Sequence, residues 1–127
     1  MKLLAHVMRN INEFNIPTGN SRAYEIMYFG VNLILMLDYR LSFDIYVKNG
    51  EGIEVLIINR KDVPAWKNNN SYIKAYYNNS GVKINDIFSP TISDAYAFII
   101  NNRSSDEVKS VEVTLIHNHK PFGFAHR

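Results

Sequence analysis

The sequence predicts a mainly β protein, an antiparallel β-sandwich of jelly-roll-like character with about eight short strands. Three observations carry that expectation. Several stretches alternate apolar and polar residues with a period of two, most cleanly Leu41 to Val47 and Val111 to Leu115. Turn signals rich in Gly, Pro, Asn and Ser recur between them. Helical periodicity is nearly absent. With 127 residues, 46% of them hydrophobic, the chain fits a single β-sandwich domain over residues 1–127 with one core.

Taken in order, the N-terminal segment, residues 1–13, reads as a short helix or an edge strand. Leu3, Leu4, Val7, Met8, Ile11 and Phe14 stand at helix-like spacing over residues 2–14. Ile16-Pro17-Thr18-Gly19-Asn20 is a turn. Arg22 to Phe29 alternates, with Tyr24, Ile26 and Tyr28 on one face, until Gly30 interrupts. Val31 to Tyr39 is almost continuously apolar and is expected to be a strand covered on both sides. That cover would come from residues 2–14 or from a second subunit in a homodimer. Leu41 to Val47 should point Phe43, Ile45 and Val47 inward and Ser42, Asp44 and Tyr46 outward. After the turn Asn49–Gly52 comes a strand at Ile53 to Ile58. Asp62 then caps one helical turn containing Pro64 and Trp66.

Tyr72 to Tyr77 reads as a strand, Asn78–Gly81 as a turn and Val82 to Phe88 as a strand. Asp94 to Ile116 carries the clearest hairpin pattern: an apolar-aromatic run, a polar turn and an alternating return. Tyr96, Phe98 and Ile100 are expected to face Val111, Val113 and Leu115 in the core. Residues 118–127 form a tail expected to leave the sheet.

Charge and composition exclude several function classes. Charged residues make up 20% of the chain and the net charge is +2, too balanced for a committed nucleic-acid binder. There is no cysteine, so disulfides and thiolate metal sites are impossible. His6, Arg9 and Asn10 interrupt the N-terminal apolar residues before a signal-length core forms, and no run is long enough to span a bilayer. The expected location is therefore cytoplasmic or virion-associated.

A family resemblance emerges from short patterns. An I-P-x-G turn precedes the aromatic strand in Ile16 to Tyr28, F-D-I-Y-V stands at Phe43 to Val47, and S-D-A-Y-A-F-I-I-N-N runs from Ser93 to Asn102. Over roughly residues 14–117 this resembles the GOLD-like (emp24-type) β-sandwich modules of archaeal surface and secretory-pathway proteins. It is also similar to bacterial pre-peptidase C-terminal domains. Tyr96, Phe98 and Asn101 stand where those groups carry an aromatic-rich run ending in Asn. The resemblance implies a non-enzymatic protein-interaction or assembly module with no catalytic residues and no cofactor. A viral jelly roll would give the same strand pattern.

Candidate sites are few. Trp66, Tyr72, Tyr76 and Tyr77, with neighbouring asparagines, could line a carbohydrate-binding face, or could simply cap the core. His117 and His119 share a strand face at i and i+2 and could reach one metal ion, whereas solvated tail histidines are the plainer reading. Asn69-Asn70-Ser71, Asn78-Asn79-Ser80 and Asn102-Arg103-Ser104 are sequons that mark exposed loops. The carboxylate pairs Asp38/Asp44 and Asp106/Glu107 sit in no hydrolase motif, and neither a G-x-S-x-G elbow nor a phosphate loop is present. These observations favour a non-enzymatic module that binds a protein partner or copies of itself; the alternative is a carbohydrate- or metal-binding module.

Overall fold

Two kinds of strand sequence sort into two sheets. A computed structural model describes residues 6–16, 24–48, 52–68, 73–102 and 109–121, with backbone alone for 6–16, 37, 109–110 and 118–121. Its strands are β1 (His6–Ile16), β2 (Tyr24–Val31), β3 (Met36–Val47), β4 (Ile53–Asn59), β5 (Ala75–Gly81), β6 (Lys83–Phe88), β7 (Asp94–Asn101) and β8 (Lys109–Pro121). One sheet has the order β1-β8-β3-β6 and the other β2-β7-β4-β5, with every pairing antiparallel. Successive strands change sheet from β1 to β4 and again from β5 to β8. That alternation is jelly-roll topology. No described helix is long and apolar enough to cross a membrane.

The alternating strands β3 and β8 lie side by side at the centre of the first sheet. Their inward residues, Leu41, Phe43, Ile45, Val47, Val111, Val113 and Leu115, are all buried. They meet Tyr96, Phe98 and Ile100 of β7 and Val55 and Ile57 of β4 across the sandwich. Phe43 packs edge-on against both Phe98 and Tyr77, with ring centroids 5.2 and 5.1 Å apart. Tyr96 anchors one end of this core. Its hydroxyl donates to the Ile92 carbonyl four residues upstream at 2.7 Å, the geometry of a tyrosine corner. Burial, with smaller contributions from Tyr76 and Asp94, pushes that hydroxyl up to about 12.

Along its central strands β4 and β7 the second sheet is largely apolar on both faces. Leu56 and Ile58 of β4 and Ala97 and Ile99 of β7 point away from the sandwich interior, yet are buried in a second cluster with Val63. The cover is the β4–β5 connection: a 3-10 turn at Arg60–Asp62, then the five-residue helix α1 (Val63–Lys67). Trp66 packs there edge-on against Tyr24 at 5.2 Å, and the Arg60 guanidinium lies 4.6 Å over the Tyr28 ring. Asn59 starts the turn. Its side-chain oxygen accepts from the Lys61 amide and its side-chain nitrogen donates to Asp94. Asp62, expected as the helix cap, makes no side-chain capping bond.

Several expectations need correction. Of the two readings of the N-terminal segment, residues 6–16 form the edge strand and not the helix; eleven paired positions with β8 outweigh a weak helical pattern interrupted by Asn10 and Asn12. The apolar run Val31 to Tyr39 is not one strand. It ends β2, turns at Asn32–Leu35 and starts β3 in the other sheet, leaving Ile34 and Leu35 exposed. Asn78, Asn79 and Ser80 lie within β5 and not in a turn, paired to Leu56, Val55 and Glu54 of β4. The expected tail is partly strand: β8 continues to Pro121, opposite Met36, and residues 122–127 lie outside the described residues.

The Asp94–Ile116 hairpin does not form. β7 pairs with β2 and β4, whereas β8 pairs with β1 and β3, so their inward residues meet across the core instead of along a ladder. Period-two alternation identifies a buried face but says nothing about which strand lies beside it.

Candidate functional site

The sequence-derived aromatic platform is divided by the sheet that carries it. Trp66 belongs to the cover over the outer face, with Tyr24, Ile26 and Ile73. Tyr76 and Tyr77 both pack against the inner core, Tyr76 edge-on to Tyr96 at 5.4 Å. Both tyrosines face inward because a β-bulge interrupts the β4–β5 register: Ile57 pairs with Tyr77 but Ile58 with Ala75, leaving Tyr76 as the extra residue. The Tyr77 hydroxyl donates to Asp86 at 2.9 Å. Tyr72 lies outside the described residues. Trp66 therefore shares no face with Tyr76 and Tyr77.

His117 is likewise committed to the fold. Its Nδ1 is hydrogen-bonded to the buried Tyr39 hydroxyl at 2.5 Å, and its ring meets Phe29 edge-on at 5.9 Å. Tyr39 is turned toward this cluster beside a bulge between Leu37 and Arg40, where Asp38 takes a left-handed φ of 57°. Burial pushes the Tyr39 hydroxyl well above its ordinary value, so it stays protonated and available as a donor. For His119 only the backbone is described, opposite His6. Among the described residues no group of three or more His, Asp or Glu side chains is placed to hold a metal ion.

Two surfaces remain. The first is an apolar end. The Asn32–Leu35 turn is fastened to the β6–β7 loop by the Leu33 amide, which donates to Ser93 Oγ at 2.9 Å, and internally by the Ile34 amide donating to Asn32 Oδ1. At this end Ile34 is 70% exposed, Leu35 57% and Ile92 46%. Neither residues 31–37 nor residues 87–93 include a charged side chain.

The second surface is the outer face of the β1-β8-β3-β6 sheet. Its register sets three cross-strand rungs. Ile116, Ser42 and Ile87 form one; Thr114, Asp44 and Asn85 the next; Glu112, Tyr46 and Lys83 the third. Successive rungs are two residues apart, or about 6.6 Å along the strands. The first two rungs line a shallow depression of about 280 Å³. Alternation places Ser42, Asp44 and Tyr46 on an outer face, but not Asn85, Ile87 and Thr114 beside them. The missing information was strand order, which alternation does not encode. No family model matches this chain, and no curated protein matches it either.

Proposed function

We propose that the protein is a non-enzymatic interaction module that assembles with copies of itself through its apolar end. The observation that supports this reading is the pair Ile34 and Leu35, exposed side by side on a hydrogen-bonded turn. Leaving two large aliphatic side chains in water forgoes roughly 1.5–3 kcal/mol each relative to burial, which a contact can recover. The missing charge bears on the partner. A two-fold contact presents the same tip from both sides, so a tip with charge of one sign would repel its copy and a neutral one does not. The protein-interaction role implied by the GOLD-like resemblance agrees with this reading, as does a role in a viral assembly.

The contact is small beside the roughly 800 Å² per partner of a stable interface. The contact is therefore weak, with a dissociation constant on the order of 10⁻⁴ M. Light scattering behind size exclusion tests this as concentration rises. The wild-type mass should increase with concentration, and the Ile34→Asp/Leu35→Asp variant should remain a monomer with an unchanged circular-dichroism spectrum. A wild-type protein that stays monomeric at millimolar concentration would rule the reading out.

A further inference from the structure

Elsewhere on the described surface several carboxylates are engaged by neighbouring side chains. Glu54 accepts from both Asn78 and Asn101, Asp94 accepts from Asn59, and Asp86 accepts from Tyr77. The outer face of the β1-β8-β3-β6 sheet differs. Asp44, Asn85, Thr114 and Ser42 stand together around one depression, and none is hydrogen-bonded through its side chain to another described residue. Beside them Tyr46 is 44% exposed and Ile87 54% exposed on the same face. The fold thus collects acceptors, an amide, hydroxyls, an aromatic ring and aliphatic surface within three rungs.

We propose that this face binds a neutral disaccharide, with one sugar ring against Ile87, the next against Tyr46 two rungs away, and hydroxyls hydrogen-bonded to Asp44, Asn85 and Thr114 between them. A sugar ring presents that combination, an apolar C–H face edged by hydroxyls that both donate and accept. Asp44, as an ionised acceptor, makes the stronger charge-assisted bonds to hydroxyl donors. The depression lies just below the size of drug-scale pockets, about 300–1,000 Å³, which suits a small ring on an open face.

Other ligand classes fit less well. Asp44 would repel a phosphate backbone. An extended peptide adds to a strand edge, whereas the middle of this face has its main-chain groups already paired. The inference is independent of self-assembly through the 32–35 turn, because it uses different residues and a different chemistry.

Two-dimensional ¹H–¹⁵N NMR titration of the whole protein tests it, with methyl glycosides of glucose, galactose and mannose and their disaccharides as probes. At least one should give saturable shifts confined to amides in 42–46, 84–87 and 112–116, with a dissociation constant of about 1–10 mM. Asp44→Ala and Tyr46→Ala should each weaken that binding about tenfold, while resonances elsewhere stay in place. Both side chains are exposed, so the variants keep the fold. Three outcomes overturn the proposal: no saturable shift with any probe, shifts centred elsewhere, or equal affinity in wild type and both variants. Loss of concentration-dependent association in Tyr46→Ala would instead mark the face as a protein contact, and would overturn it too.

Discussion

The outer faces of the two sheets have opposite fates. On the β2-β7-β4-β5 sheet, Leu56, Ile58, Ala97 and Ile99 are sealed beneath α1 and Trp66. On the β1-β8-β3-β6 sheet, the corresponding face carries Ser42, Asp44, Tyr46, Asn85 and Thr114, with Ile87 open to solvent. A sandwich needs only its inner faces for a core. The chain has used one outer face for further stability and left the described part of the other open to solvent.

That contrast makes graded predictions. The largest effect is expected where the covered face is emptied. Ile99→Ala should cost about 2–5 kcal/mol in chemical denaturation, because a fully buried side chain leaves a cavity, whereas Ile87→Ala should stay within about 0.5 kcal/mol. Comparable losses at the two positions would erase the distinction between the faces. Next comes the cover itself. Trp66→Ala removes the edge-on contact with Tyr24 and exposes part of the second cluster, for an expected loss of about 2 kcal/mol.

Asn59→Ala should follow at about 1 kcal/mol, since it removes the bond to the Lys61 amide that starts the covering segment and the bond to Asp94. A loss indistinguishable from zero would mean that the cover is held by Val63 and Trp66 alone.

The alkaline limb is a subtler test. Tyr96 has its hydroxyl raised to about 12 in the folded state against about 10 unfolded, so the native state keeps a proton that the unfolded chain releases. Its contribution is fully present below pH 10 and is lost as pH rises from 10 to 12. Tyr96→Phe should flatten that limb while lowering stability at pH 7 by about 1 kcal/mol through loss of the bond to the Ile92 carbonyl. Tyr39, also raised by burial, keeps some alkaline dependence in the variant. An alkaline limb of undiminished slope would assign the effect to other groups.

Much of this division was legible in the residues. Strict alternation in Leu41–Val47 and Val111–Leu115 marks strands with one polar face, while the near-continuous apolar runs at Ile53–Ile58 and Tyr96–Ile100 mark strands buried twice. What alternation could not supply was adjacency. The pattern of Asp94–Ile116 fits a hairpin as well as two strands in opposite sheets, because both place Tyr96, Phe98 and Ile100 against Val111, Val113 and Leu115. Continuous hydrophobicity misled at Val31–Leu37 for a related reason. A buried strand and an exposed apolar turn have the same composition, and only the Asn32 and Ser93 hydrogen bonds distinguish them.

The surroundings of the candidate residues were not legible. Trp66, Tyr76, Tyr77 and His117 are chemically capable of binding, and each is also engaged by packing or hydrogen bonds to its neighbours. Less conspicuous residues, Ser42, Asp44, Tyr46, Asn85 and Thr114, gain their interest only when β6 and β8 are brought to either side of β3.

The difference between the two outer faces is tested most directly by methyl NMR with a water-soluble paramagnetic chelate, comparing Ile87 with Ile99 in one sample. The account predicts strong broadening of the Ile87 methyl groups and little or none for Ile99, which is 0% exposed. Equal broadening of the two, or protection of Ile87 at dilutions where the protein is monomeric, would contradict it.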